Sequence, residues 1–203
     1  SATENLSACF DYSIQYADPK TGRIYRLKDS KLAKPIKRIP GIALPDGSHI
    51  YKGEALPLHL VDFVLHLFHN YANPEALAFY IPKLENEEEA AYIHELISTT
   101  EELLLQIKPE YIPGQVRLFI VFESPRAIFR IKEIAQALSP YFLGGSLGWH
   151  DFLGSTARLF RLDPEYRIPV KADPNIVIRH IRESHHLLVE ALTPLNAIKI
   201  GGM

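Results

Sequence analysis

Two carboxylates stand out for where they fall in the chain. Glu123 follows the apolar run VRLFIVF at 116–122, and Asp151 follows FLGGSLGWH at 142–150. A carboxylate closing an apolar strand sits badly in a core but well at the C-terminal rim of a parallel α/β sheet, where active sites are built. Although 28 positions apart, the two can converge on one hard divalent cation. Mg²⁺ keeps several waters and accepts substrate oxygens, so two protein carboxylates suffice. The competing reading makes both of them helix caps, Glu123 for a helix over 124–138 and Asp151 for one that follows it.

Other residues add chemistry around this pair. Gly144, Gly145 and Gly148 are dense enough for close backbone approach to a ligand, without the spacing of a phosphate loop or a dinucleotide fingerprint. Trp149 and His150 can line such a loop; core packing for Trp149 and a surface hydrogen bond for His150 are the plainer alternatives. Arg38 precedes IPGIAL near another strand end, where a guanidinium can clamp a small carboxylic acid through two parallel bonds or make a surface ion pair. Lys83, close to Glu85 at a further strand end, can bind an anionic substrate or remain a solvated loop lysine. His185 and His186 lack the HExxH arrangement of a helical zinc site, and GSLGWHD lacks the G-x-S-x-G of a serine nucleophile elbow.

The elements that must position these residues read as an α/β chain. Residues 10–28 alternate apolar and polar types around DPKTG, a hairpin pattern, and short strands follow through PIKRIPGIAL and PDGSHIYKGEALP, with turn signals at Asp46-Gly47 and Gly53. Proline density predicts no long helix before about residue 58. A helix is expected over 58–70, with Leu60, Val61, Val64, Leu65, Leu67 and Phe68 on its apolar face and Asn73-Pro74 as its stop. A strand in ALAFYIPKLE leads to the acidic NEEEA, which suits a helix N-terminus, and that helix runs to about 107. The step repeats: a strand at 116–123, a helix over 124–138 with Ile128, Ile131, Ile134 and Leu138 on one face, and a Gly-rich strand in 141–151. VKAD at 170–173, a helix over 176–192 carrying Val177, Ile181, Leu188 and Leu192, and a final strand in AIKIGGM form a further unit. Continuous apolar strands separated by helices argue for parallel pairing with both sheet faces covered.

Composition excludes several classes. The 203 residues are 47% hydrophobic and 23% charged, with 22 Lys+Arg against 24 Asp+Glu and a formal net charge of -2. That balance gives no field to gather nucleic acid or anionic lipid. Cys9 is the sole cysteine, so no intrachain disulfide forms, in keeping with a reducing, cytoplasmic setting. No apolar run approaches a membrane span, and no signal-peptide pattern opens the chain. A whole (β/α)₈ barrel takes about 250 residues, more than are present.

FYIPKLENEEEA, LFIVFESPRAIFRIKEIAQAL, GGSLGWHDF and AIKIGGM resemble, in that order, the central barrel of the malate synthase family, and LPDGSHIYKGEALPLHLVDFVLHLFHN extends the likeness upstream. The resemblance spans about residues 11 to 203. It implies a partial or rearranged (β/α)₈ TIM-barrel-like domain occupying 1–203, with an irregular β-rich portion at about 10–57. Members of that family condense acetyl-coenzyme A with glyoxylate and hydrolyse the thioester to give malate and coenzyme A. In them Mg²⁺ holds glyoxylate, an arginine stabilises enolate charge, and an aspartate from a C-terminal domain removes the methyl proton.

By motif, Glu123 resembles the Mg²⁺ glutamate of the family's "ET" element and Asp151 the aspartate of "GRWD". The same resemblance implies Mg²⁺, an acyl-coenzyme A such as acetyl-coenzyme A, and a small 2-oxo acid as ligands, with Arg38 and Lys83 as catalytic candidates and Gly144, Gly145, Gly148 and Trp149 lining a cofactor site. Two departures accompany it. Gly148-Trp149-His150-Asp151 lacks the arginine of "GRWD", and in Arg38-Ile39-Pro40-Gly41, set against "RPRG", Pro40 takes the inner arginine's place. The first barrel strands and the C-terminal domain carrying the base are expected to be absent from this stretch, so a second copy or a completing polypeptide is expected to close the sheet. The function that follows is condensation or cleavage of a small 2-oxo acid, with a catalytically altered metabolite- or protein-binding member as the alternative.

Overall fold

The structure, a computed structural model, describes residues 2–28, 32–166 and 174–201. The VKAD segment at 170–173, expected to open the last unit, lies outside the described residues, as do Gly202 and Met203.

The chain opens with a helix absent from the sequence reading, α1 (Ala2–Phe10), whose last residue packs its ring against His66 at 5.7 Å between centroids. The expected hairpin follows as β1 (Gln15–Ala17) and β2 (Ile24–Arg26), antiparallel and exposed. After β3 (Lys37–Arg38), a second hairpin pairs β4 (Pro45–Tyr51) with β5 (Glu54–Pro57). Its turn is Lys52-Gly53, where Gly53 takes φ +86°. Asp46-Gly47, expected to turn the chain, instead lies within β4, where the register shifts between Asp46 and Ile50. The Asp46 carboxylate accepts from the backbone N–H of Ser48 at 2.9 Å, so the local bond of an Asx turn is made inside a bulged strand.

Helix α2 (Leu58–Asn70) has the expected bounds but a different buried face: His59, Phe63, His66, Leu67 and Asn70, while Leu65 and Phe68 are exposed. Hydropathy hides this because each imidazole meets an internal polar partner through its Nε2. His66 Nε2 lies 2.8 Å from the Ala76 carbonyl and His59 Nε2 lies 2.8 Å from the Tyr92 hydroxyl. Asn73 then caps a short 3₁₀ turn, and β6 (Ala78–Ile81) leads to α3 (Glu87–Ile107). The Asn86 side chain caps α3 by accepting the Glu89 N–H at 2.8 Å, with three glutamates in the first turn to favour the positive end of the helix dipole.

β7 (Arg117–Phe122) is followed not by one helix over 124–138 but by two, α4 (Pro125–Ile128) and α5 (Ile131–Ala137), broken at Phe129-Arg130. Arg130 there forms a two-pronged ion pair with Glu87 at the start of α3. Ile128, Ile131, Ile134 and Leu138 nevertheless all bury against the sheet. β8 (Phe142–Leu147), α6 (Trp149–Leu159), α7 (Pro174–Leu192) and β9 (Ile198–Ile200) complete the order.

Strands β3-β6-β7-β8-β9 form one five-stranded sheet, every adjacent pair parallel. On one face Phe79, Ile81, Leu118, Ile120, Phe122 and Leu147 pack with Phe63, Ile93, Ile97, Ile134, Leu188 and Leu192 of the helices. Strand alternation sends the intervening residues to the other face. There the register aligns Arg38 with Tyr80, Tyr80 with Phe119, Phe119 with Gly144 and Gly144 with Ile198. The result is an α/β domain whose parallel sheet has helices on one side and a concave inner face on the other, a partial TIM-barrel-like arrangement.

Candidate functional site

All five parallel strands end on the same rim, and the rim residues are the ones with chemistry. Glu123 directly follows β7, on the face of Phe119 and Val121, and is 4% exposed. The next residue, Ser124, is the helix cap, accepting the Ala127 N–H at 3.1 Å. The capping reading of Glu123 is thereby displaced, because its own oxygens turn elsewhere. Oε1 accepts the backbone N–H of Lys83 at 2.8 Å, and Oε2 lies 3.7 Å from Lys83 Nζ.

Asp151 is not at a strand end. It occupies the first turn of α6, whose cap residue is Gly148 and lacks a side-chain cap bond. The short β8-to-α6 connection still returns Asp151 to the rim, where Oδ1 lies 2.8 Å from Lys83 Nζ. Lys83 therefore bridges two carboxylates 28 positions apart. It does so from a left-handed backbone conformation, φ +64°, that costs a non-glycine residue on the order of 1 kcal/mol or more.

The electrostatics of the pair are divided. Burial first, and then a hydrogen bond shared with Asp151, push the Glu123 carboxyl above the ordinary glutamate range, partly offset by Lys83. The Lys83 ammonium first, then the bond from Glu123, hold Asp151 below the ordinary aspartate range, with the Arg38 guanidinium adding to the effect. Arg38 thus joins the same field from β3, on a cleft of about 550 Å³ that it lines with Gly41, Pro82 and Lys83.

The glycines separate into two groups. Gly144 and Gly145 lie inside β8 rather than in a loop: a Cβ on Gly144 would fall 2.2 Å from the Ile198 carbonyl oxygen, and one on Gly145 2.5 Å from the Phe122 ring. Gly148 is at the rim, where a Cβ would meet Glu123 Cβ at 2.6 Å, Glu123 Oε2 at 2.9 Å and Val121 Cγ1 at 2.9 Å. Trp149 is half-buried against the core beside the His150 ring, 4.1 Å between centroids. One polar pair escaped the sequence reading: the hydroxyls of Tyr80 and Ser146 hydrogen-bond across the inner face. The only signal for it was a serine at the centre of an apolar strand.

This donor set suits a hard cation of modest demands. Glu123 spends Oε1 on a backbone N–H and keeps Oε2 in the space left by the missing Gly148 side chain, while half-exposed Asp151 supplies the second oxygen donor. No group of three or more His, Cys, Asp or Glu residues able to hold a metal occurs among the described residues. Two protein oxygens with the remaining positions left to water or substrate fit Mg²⁺ and not zinc. Also among the described residues, no helix is long and apolar enough to cross a membrane.

Comparison with known proteins agrees with this layout. Residues 35–203 match the family description "Malate synthase, TIM barrel domain". Malate synthase A of Escherichia coli (strain K12) is 29% identical over 203 residues, covering 98% of this chain and 37% of the relative. Malate synthase of Arabidopsis thaliana is 28% identical over 206 residues, covering 98% and 36%. The chain therefore spans little more than a third of the length of these relatives. In fold it is similar to Haloferax volcanii malate synthase in its lead(II) complex, with a TM-score of 0.51 at 12% identity over 72% of this chain and 38% of that one. With a parallel sheet whose strands alternate with helices, carboxylates meeting at its rim and a domain match over residues 35–203, the chain belongs to the malate synthase family.

Proposed function

We propose that this chain binds Mg²⁺ through Glu123 and Asp151 and acts on a small 2-oxo acid, with glyoxylate as substrate and acetyl-coenzyme A or another acyl-coenzyme A as the acyl donor. One observation carries the reading: two carboxylates from different βα units come together, at the C-terminal rim of a parallel sheet, around a single ammonium group. A buried carboxylate whose charge is penalised by desolvation favours a cation beside it. Bound there, Mg²⁺ would supply Lewis acidity to orient and polarise the 2-oxo group.

The chain's own residues would do the rest of the positioning. Arg38, on the same cleft, would hold the carboxylate of the 2-oxo acid through its guanidinium fork. The Lys83 ammonium would offset negative charge gathering on the acid, and its backbone N–H fixes the Glu123 carboxylate. Gly148, and Trp149 behind it, would leave room at the rim for the acyl donor. A completing polypeptide or second copy is supported by the unpaired outer sides of β3 and β9 among the described residues. The lone thiol of Cys9 suits a cytoplasmic setting.

A second reading keeps binding without turnover: an altered family member that takes up a metabolite or protein. It is favoured by Pro40, which stands where the family's inner arginine is expected and has no N–H or side chain to stabilise an oxyanion. Calorimetric titration with Mg²⁺, paired with an assay of glyoxylate-dependent thioester loss, separates the two. Glu123→Ala and Asp151→Ala should each weaken Mg²⁺ binding by about tenfold or more. Unchanged binding in both variants would remove the metal site, and metal binding without turnover would leave the second reading.

A further inference from the structure

A separate concavity of about 470 Å³ opens on the far side of Ser124, between the start of α4 and the C-terminal half of α6. Ser124, Arg126, Ser155, Arg158 and Arg161 line it together with one carboxylate, Glu85. Glu85 also borders the Arg38 cleft, so the two concavities are neighbours along the rim. Ser124 follows Glu123 in sequence, and Ser155 lies one helical turn beyond Asp151 on α6.

The charge here runs against the chain as a whole. In a protein of formal charge -2, three guanidinium groups surround one hollow. None of the three pairs with a carboxylate within 4.0 Å among the described residues. Among themselves, Arg161 Nη1 donates to the Arg158 carbonyl at 3.2 Å, which uses a single N–H of several. Gathering like charges raises their mutual repulsion unless an anion compensates it.

We propose that this cleft binds the diphosphate group of a small molecule. Guanidinium forks match phosphate oxygens in pairs, and the Ser124 and Ser155 hydroxyls add neutral donors. The volume falls in the range of small-molecule sites, about 300–1,000 Å³, which leaves room for two linked phosphates and the group attached to them. Three cations in one hollow, with no basic stripe leading away from it, do not suit a polynucleotide. Two ligands share the required chemistry, a nucleoside diphosphate and the diphosphate of coenzyme A. The site is independent of the Mg²⁺ reading, since none of its arginines touches Glu123 or Asp151.

Titration calorimetry on the full chain, with a chelator present, tests it using inorganic pyrophosphate, ADP and coenzyme A as probes. Pyrophosphate should bind at one saturable site. Arg126→Gln and Arg158→Gln should each weaken it by about tenfold, the expected loss for one charge-assisted contact. Arg23→Gln, on the distant β1–β2 hairpin, should leave it unchanged. All of these side chains are exposed, and circular dichroism confirms folding of each variant. ADP and coenzyme A should show the same arginine dependence, and whichever binds tighter names the source of the phosphates. Absence of saturable pyrophosphate binding would overturn the proposal. So would unchanged pyrophosphate binding in both Arg126→Gln and Arg158→Gln, or coenzyme A binding while pyrophosphate and ADP do not.

Discussion

Gly148→Ala isolates the geometry on which the rim depends. The residue adopts φ -92° and ψ 71°, which alanine tolerates, so the substitution tests space and not backbone freedom. The new Cβ would lie 2.6 Å from Glu123 Cβ and 2.9 Å from both Glu123 Oε2 and Val121 Cγ1. Ordinary carbon contacts are about 3.5–4.0 Å, so either β7 or the start of α6 must move by roughly an ångström. Two of the three obstructing atoms are short, stiff parts of nearly fully buried side chains, which prevents cheap relief. Overpacking of this kind costs about 1–3 kcal/mol, and at about 2–4 °C per kcal/mol for a chain of this size the melting temperature should fall by roughly 2–12 °C.

Gly154→Ala provides the matched control. It lies within the same helix, α6, and a Cβ there meets nothing within 4 Å. Replacing an exposed helical glycine by alanine should stabilise by about 0.5–1 kcal/mol. Differential scanning calorimetry of the two variants, with Mg²⁺ titration of each, gives opposite signs for stability and a loss of metal affinity for Gly148→Ala alone. Equal stability in the two variants, with Mg²⁺ affinity retained in Gly148→Ala, would refute the packing argument.

Two further outcomes concern the fold. Glu101, 3% exposed, accepts from the Tyr111 hydroxyl, from the Tyr141 hydroxyl at 2.8 Å and from the Gly114 N–H at 3.0 Å, tying α3 to two loops. Glu101→Gln should cost about 1–3 kcal/mol in urea unfolding, and an unchanged midpoint would show that the two phenols find other partners. The second outcome is a fall in stability at acid pH. Burial holds His59 and His66 below the ordinary histidine value of 6.5. Below about pH 6.5 the unfolded chain therefore binds protons that the folded chain refuses, and stability should drop as the pH falls further. Comparison of wild-type and His66→Gln unfolding between pH 7 and 5 checks this, because the variant should have the shallower slope; parallel slopes would count against it.

Much of the frame was readable because it rests on local signals. The bounds of α2, the acidic first turn of α3 and the apolar run of β7 follow from spacing and from helix-end chemistry that act within a few residues. What escaped reading was set by partners distant in sequence. The buried side of α2 includes His59 and His66 because Tyr92 and Ala76 meet them, and no periodicity of apolar residues records that. The break at Phe129-Arg130 lies inside an unbroken Ile128, Ile131, Ile134, Leu138 pattern, at the residue whose guanidinium meets Glu87. Asp46-Gly47 has the chemistry of a turn, and only pairing with β5 shows that the same chemistry is making a bulge.

Lys83 shows most sharply why the site was only half legible. Composition and position let it be read as an anion-binding residue, and Glu123 and Asp151 as a pair, but nothing linked the two readings. The link is geometric: β6 delivers Lys83 in a left-handed conformation that aims its N–H at Glu123 while its ammonium reaches Asp151. The sole cation within reach of both carboxylates among the described residues therefore belongs to the chain itself. A divalent ion entering here must draw Asp151 away from a contact of 2.8 Å, yet Glu123 loses little, since its ammonium contact is 3.7 Å and its backbone bond stays in place. On the proposed Mg²⁺ reading, the buried carboxylate would be the fixed ligand and the half-exposed one the adjustable ligand, an asymmetry that follows from placing one at the end of a central strand and the other on the first turn of a helix.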